Sequence, residues 1–235
     1  MRSENQPVSQ KERSFIETAR RAQIMDAAVE TIAEVGFARA SLARIARRAG
    51  ISKGVISYHF AGKEELMEQI VIAVYTDIGE NVAGGLHGVE SVTEMVRVNT
   101  TRVAEYMRGH RSSLRALGEI FLNLRGADGE PHYGMHTNEP LYQPLEDAFR
   151  RGQESGELRD FDTRVMAISY QSALDAMFGY WALNPEWDLT AHAEQVSDLF
   201  VRAIRAEAPR DAPTPHRSSR DRHDPPPDPA EGGTA

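Results

Sequence analysis

Between Gly36 and Lys63 the chain carries six basic side chains, Arg39, Arg44, Arg47, Arg48, Lys53 and Lys63, and no acidic one. Guanidinium and ammonium groups in such a run can pair with phosphates. On charge alone, a solvated basic helix face is an equally good reading. The rest of the chain has the opposite bias. Residues 1–66 hold 11 Lys+Arg and 8 Asp+Glu, a net +3, whereas residues 67–235 hold 16 and 27, a net −11. The total of −8 therefore hides a basic N-terminal segment on an acidic body. Other chemistries find little support. The chain has no cysteine, which excludes disulfide scaffolds, thiol catalysis and cysteine-bound zinc. His132 and His136 are four apart but lie in a Gly/Pro-rich stretch without a third ligand, so neither a metal site nor a cofactor is expected. No nucleophile–base pattern or phosphate loop points to an enzyme.

The elements that must position the basic run are helical. Apolar residues recur at helical spacing, and alternating β-branched runs are absent, so an all-α fold is expected. A first helix is predicted over Thr18–Val35, with Ile24, Ala27, Ala28, Ile32 and Val35 on one face and Gly36 ending it. Ser41 can cap a short helix over Leu42–Ala49, and Ser52 another over Lys53–His59. A fourth, with Glu64 and Glu65 in its first turn, is predicted from Lys63 toward Asn81, and Gly84–Gly88 reads as a loop. Further helices are expected over Ser91–Arg108, Ser112–Arg125, Leu141–Gly152, Asp162–Leu183 and Thr190–Glu207, with a loop at Gly126–Pro140. Residues 1–17 read as a flexible arm, whose Arg2, Lys11 and Arg13 can reach a minor groove but are accompanied by Glu4 and Glu12. Seven of the twelve prolines fall in Pro209–Pro229, so residues 208–235 are expected to be a disordered tail.

Leu42–Phe60, LARIARRAGISKGVISYHF, joins the charge to a geometry. Ala46 is small where two helices must approach, and Gly50 supplies the turn. Ile45, Ala49, Ile51 and Ile56 form apolar inner faces. Ser52 opens the following helix, and Lys53, Gly54, Val55, Tyr58 and His59 fall on a surface that can enter a major groove. The segment Ile24–Leu66 resembles the DNA-binding domain of the TetR family of bacterial transcriptional regulators. Matching residues include Glu34-Val35-Gly36-Phe37, Ile45-Ala46, Ala49-Gly50-Ile51-Ser52-Lys53-Gly54, Tyr58-His59-Phe60 and Lys63-Glu64. It departs from the family's pattern at Ser57, where Tyr is usual, and at Gly62, where Ser, Asn or Asp is commoner. The resemblance implies that Ser41 and Arg44 touch phosphates or nearby bases and that Ser52, Lys53, Gly54, Val55 and Tyr58 form the groove-facing set. It also implies that His59 and Lys63 contact the backbone. Arg47 and Arg48 are open between phosphate contact and surface pairing.

One three-helix head reads too few base pairs for tight binding, so two heads on a two-fold dimer are expected, roughly 34–36 Å apart on a pseudo-palindromic operator. The resemblance places the dimer on helices 162–183 and 190–207. On the first, Val165, Ile168, Ser172 and Met166, Ala173, Met177 form two adjacent stripes. On the second, Val196, Leu199, Phe200, Ala203 and Ile204 form another. An effector cavity is expected around Met95, Asn99, Arg102, Tyr106, Phe121, Tyr170, Met177 and Trp181, although such residues also make ordinary core.

The expected layout is thus an arm at 1–17, a helix-turn-helix domain at 18–62, a helical effector-binding and dimerisation domain at 63–207, and a tail at 208–235. The resemblance implies a repressor released from double-stranded DNA by a small apolar or aromatic effector. The alternative is a DNA-binding activator or architectural protein without an effector. No apolar run reaches the roughly 18–20 residues needed to span a bilayer, and the N-terminus lacks an apolar signal segment. A cytoplasmic, bacterial, nucleoid-associated protein is expected.

Overall fold

The computed structural model describes residues 10–206, with side-chain surroundings from Ser14 onward. The residues of the expected tail, and those of the arm before Gln10, lie outside this range, as do the side chains of Lys11 and Arg13. The order is α1 (Gln10–Val35), α2 (Leu42–Arg48), α3 (Lys53–His59), α4 (Lys63–Leu86), α5 (Val92–Gly109), α6 (Arg111–Asn123), α7 (Glu139–Glu154), α8 (Thr163–Leu183) and α9 (Leu189–Ile204), with a single 3-10 turn at Met135–Thr137. Among the described residues there is no strand, only two isolated bridges. The fold is all-α, an N-terminal helix-turn-helix followed by a helical body.

Local chemistry explains most helix ends. Ser41, Ser91, Asp162 and Asp188 each accept an N–H three residues on, closing the starts of α2, α5, α8 and α9. Gly50 adopts φ +68°, while Ile51 N–H reaches Ala46 C=O at 3.0 Å and Gly50 N–H reaches Arg47 C=O at 3.3 Å. This paired closure stops α2 and aims the chain into α3.

Two expected boundaries shift. α1 begins at Gln10, so residues 10–17 are helix and not arm. This first stretch exposes Phe15 and Ile16, so it shows no buried apolar stripe from which a helix is read. α4 continues through Gly84 and Gly85 to Leu86. Gly85 is where α4 and α5 come close: a Cβ there would lie 2.6 Å from Arg102 Nε and 3.1 Å from Val98 Cγ1. The glycine is a packing residue inside a helix, and no loop breaks there.

The core has two parts. One joins α1, α2 and α3 to Leu66–Val74 of α4 and to Ala116, Leu117, Ile120 and Leu124 at α6. The other packs α5, α7, α8 and α9 around Tyr170, Met177 and Phe200. The head core thus does not stop at Gly62; it continues through half of α4 and takes a wall from α6.

Candidate functional site

In the helix-turn-helix, Ile45, Ala46, Ile56 and Phe60 are buried. That burial turns Ser52, Lys53, Gly54 and Tyr58 of the α3 surface outward, with Tyr58 76% exposed. Val55 and His59 are half-buried beside them. Ser41 and Arg44 are exposed at the start of α2. The eight expected groove- or phosphate-facing residues other than Lys63 therefore lie on α3 or at the ends of α2 and α3. Gly54 has no internal steric duty: an added Cβ would meet only Ser52 Oγ, at 3.7 Å. Its missing side chain leaves room on the outer surface.

Lys63 sits differently. Its ammonium donates to Phe37 C=O at 2.5 Å and lies 3.9 Å from the centre of the Phe37 ring. Burial pulls its pKa below the usual lysine value, against the opposing pull of Glu64. In the described structure this ammonium straps the end of α1. Arg48 pairs with Glu34 at the surface. Arg47 has no ion-pair partner among the described residues. Ser57 is exposed. Gly62, the N-cap of α4, offers no side-chain acceptor; Glu65 instead reaches back to Ala61 N–H at 2.5 Å.

Three positioning residues escape local sequence reading, because their partners are distant. Arg21 donates to His59 C=O and stacks 4.3 Å over Phe60, fixing the end of α3. Gln23 donates to Ala49 C=O at 2.9 Å and holds the turn. Glu119, on α6, accepts Phe37 N–H at 2.8 Å.

Beneath the head, a cavity of about 520 Å³ lies between α4, α5, α6 and α8 and the 133–145 segment. α4 contributes Tyr75, Ile78 and Val82; α6 contributes Leu117, Gly118 and Phe121; α8 contributes Gln171, Asp175 and Phe178. Of the residues expected to bind an effector, Met95, Asn99 and Phe121 line it. The other five do not. Arg102 packs on Gly85, and Tyr106 stacks on His110 at 4.0 Å beside Asp77. Tyr170 is fully buried, bonded to Asn99 Nδ2 and Thr100 Oγ1 at 2.8 Å each, and Met177 and Trp181 are core. Helical periodicity marks a buried face but does not separate a side chain that fills the core from one that walls a void. Asp175, which also lines the cavity, carries a sequence signal: it is the only charged residue between Val165 and Leu183.

The same helices connect cavity and head. Met67, Ile70 and Val74 of α4 pack in the head core, while Tyr75, the next residue, and Ile78, one turn on, reach the cavity. On α6, Ile120 faces the head and Phe121 the cavity.

A sequence profile described as bacterial regulatory proteins, tetR family, matches residues 24–70, the segment that builds the head. The head is thus similar to the DNA-binding domain of TetR-family regulators. The chain's relatives include the HTH-type transcriptional regulator BetI 1 of Chromohalobacter salexigens, 47% identical over 79 residues. That match covers 33% of this chain and only 39% of the relative, about two-fifths of its length. BetI of Escherichia coli (strain SMS-3-5 / SECEC) is 27% identical over 205 residues, covering 87% of this chain and 92% of the relative. Both are transcriptional regulators by name, not enzymes. Among solved structures, FadR from Bacillus subtilis in complex with stearoyl-CoA superposes with a TM-score of 0.66 at 23% identity, covering 78% of this chain and 98% of that one. At that identity the likeness speaks for the TetR-family fold alone.

Proposed function

We propose that this TetR-family protein is a homodimeric repressor, released from a pseudo-palindromic DNA operator by a small apolar or aromatic effector. The observation that carries this reading is the sharing of α4 and α6 between two places: the core beneath the outward α3 surface, and the walls of the cavity. An effector that moves Tyr75 or Phe121 must also move Ile70, Val74 or Ile120, and with them the Glu119–Phe37 tie and the Lys63 strap. Because packed interfaces do not deform continuously, such a shift changes the separation of two heads and their match to successive major grooves. An effector that prefers the DNA-incompetent form 100-fold supplies about 2.7 kcal/mol of coupling.

For DNA contact we assign Ser41, Arg44, Ser52, Lys53, Gly54, Val55, Tyr58 and His59. For dimerisation we assign α8 and α9, keeping Val165, Ser172 and Leu199 of the expected residues. Val196, Phe200 and Ile204 are buried within the chain, as is Met177. The outward row is Val165, Ser169, Ser172, Ala176, Tyr180 and Leu183, uncharged throughout, with Leu199 beside it on α9. An uncharged row at helical spacing, with Leu183 79% exposed, suits a second copy packed across a two-fold axis. The cavity favours an effector-responsive protein over an activator or architectural protein with a solid body. A regulator of this kind would work in the bacterial cytoplasm, nucleoid-associated when bound, and no described helix is long and apolar enough to cross a membrane.

The test is a gel shift with the intergenic DNA flanking its own gene, repeated between about 50 and 200 mM salt. Saturable binding of a dimer that survives excess unrelated DNA is expected. Binding that unrelated DNA abolishes refutes the proposal.

A further inference from the structure

The cavity's charge is one-sided. Among its lining residues Asp175 is the only ionised group, and no Lys, Arg or His is present. Among the described residues, nothing cationic lies within 4.0 Å of the Asp175 carboxylate; its one hydrogen bond is from Gln171 Nε2 to Oδ1, at 2.9 Å. Desolvation by the surrounding protein pushes its pKa up, with Gln171 opposing. Asp175 is exposed where it borders the cavity, so a cation held in the cavity can reach its carboxylate.

The neighbouring walls suit the same partner. Tyr75 and Phe121 stack at 6.5 Å, and Phe121 and Tyr133 meet at 5.0 Å, so three linked rings line the cavity. Aromatic faces attract cations, and more strongly once these are desolvated. Asn99 adds an acceptor. Its Nδ2 donates to the Tyr170 hydroxyl, and Oδ1 has no partner among the described residues. The remaining walls, from Ile78, Val82, Leu114 and Leu145, are apolar.

The geometry points to an effector that is a lipophilic organic cation, an amine or quaternary ammonium carrying an apolar body, with its charge between Asp175 and the Tyr75–Phe121–Tyr133 rings. This rests on the reading of the cavity as the effector site and narrows it to a charge class. An anionic effector would meet an unopposed carboxylate, and a neutral one would leave that carboxylate unpaired.

Three probes with a common tail separate the cases: octyltrimethylammonium, 1-octanol and octyl sulfate, titrated calorimetrically into the full-length protein below their micellar concentrations. Octyltrimethylammonium is expected to bind most tightly and octyl sulfate least. Asp175→Asn preserves the side-chain shape and its bond partner, and should weaken the ammonium probe by roughly tenfold or more, about 1.4 kcal/mol, while changing 1-octanol less than twofold. Circular dichroism of the variant verifies that it is folded, and Asn99→Leu gives a second reading, a smaller loss confined to the ammonium probe. Equal affinity for ammonium and alcohol, or an ammonium affinity that Asp175→Asn leaves unchanged, overturns the charge assignment but leaves the cavity as effector site. Failure of all three probes to bind overturns both.

Discussion

Replacing Lys63 by Met removes the ammonium and keeps most of the aliphatic stem. The structure gives the ammonium two interactions: a charge-assisted bond to Phe37 C=O at 2.5 Å and a cation–π contact at 3.9 Å. Bonds of the first kind contribute about 1.5–3 kcal/mol and contacts of the second about 0.5–1 kcal/mol. The partial burial that lowers the lysine's pKa subtracts from both. A net loss of about 1–3 kcal/mol is expected, which at roughly 2–4 °C per kcal/mol lowers the melting temperature by about 2–12 °C. The companion assay is operator affinity against salt. A strap that holds the end of α1 leaves the slope of log K against log salt unchanged. A phosphate contact makes the slope shallower by about 0.9 per head, or about 1.8 for a dimer. Unchanged stability together with that shallower slope would show Lys63 to be a DNA contact and refute its assignment as a strap.

Three further outcomes follow from named groups. Gly54→Ala should leave the fold intact or stabilise it by up to about 1 kcal/mol, because only Ser52 Oγ lies near the new methyl, yet weaken operator binding at least tenfold in a fluorescence titration; unchanged affinity would show that the groove does not approach Gly54. Leu199→Glu, at a 65% exposed position, should dissociate the dimer in sedimentation velocity while each chain's helicity holds, since a two-fold interface buries the new charge twice. Glu157 accepts from Ser91 Oγ, Val92 N–H, Thr93 N–H and Thr93 Oγ1 at 2.7–2.8 Å. Desolvation opposes its ionisation, but these bonds outweigh it and hold its pKa below the usual value. Because the folded pKa is the lower one, its stabilisation is complete above about pH 4.3 and is lost as pH falls through the folded value. Glu157→Gln should therefore cost about 2–3 kcal/mol near neutrality, a deficit that shrinks in denaturant titrations below that pH; a deficit independent of pH would remove the charge from the account.

What was legible in the sequence depended on distance along the chain. Ser41 capping α2 and Gly50 turning it are events within a few residues, and both could be read from residue type. The outward set on α3 followed from the burial of Ile56 and Phe60, a matter of helical period. Lys63 was legible as a cation, but the carbonyl that takes it lies 26 residues earlier. The Glu119–Phe37 tie spans 82 residues and has no local signature. In the cavity, period alone placed Tyr170 and Trp181 with Phe121, although two fill the core and one walls the void. Asp175 was within reach, as the lone charge on the Val165–Leu183 stretch of α8.

The head core closes only when α6 supplies Ala116, Leu117 and Ile120, with Leu124 at its end. On the ribosome this sets an order of events. The α3 surface is synthesised early, but its supporting wall comes more than fifty residues after Gly62. At about 5–20 residues per second, synthesis from Gly62 to Leu124 takes roughly 3–12 s. During that interval the rest of this core, Ile32 and Ile70 included, is an unfinished apolar surface. Premature termination before α6 would therefore yield a fragment that holds every assigned DNA-contact residue and lacks the packing to present them.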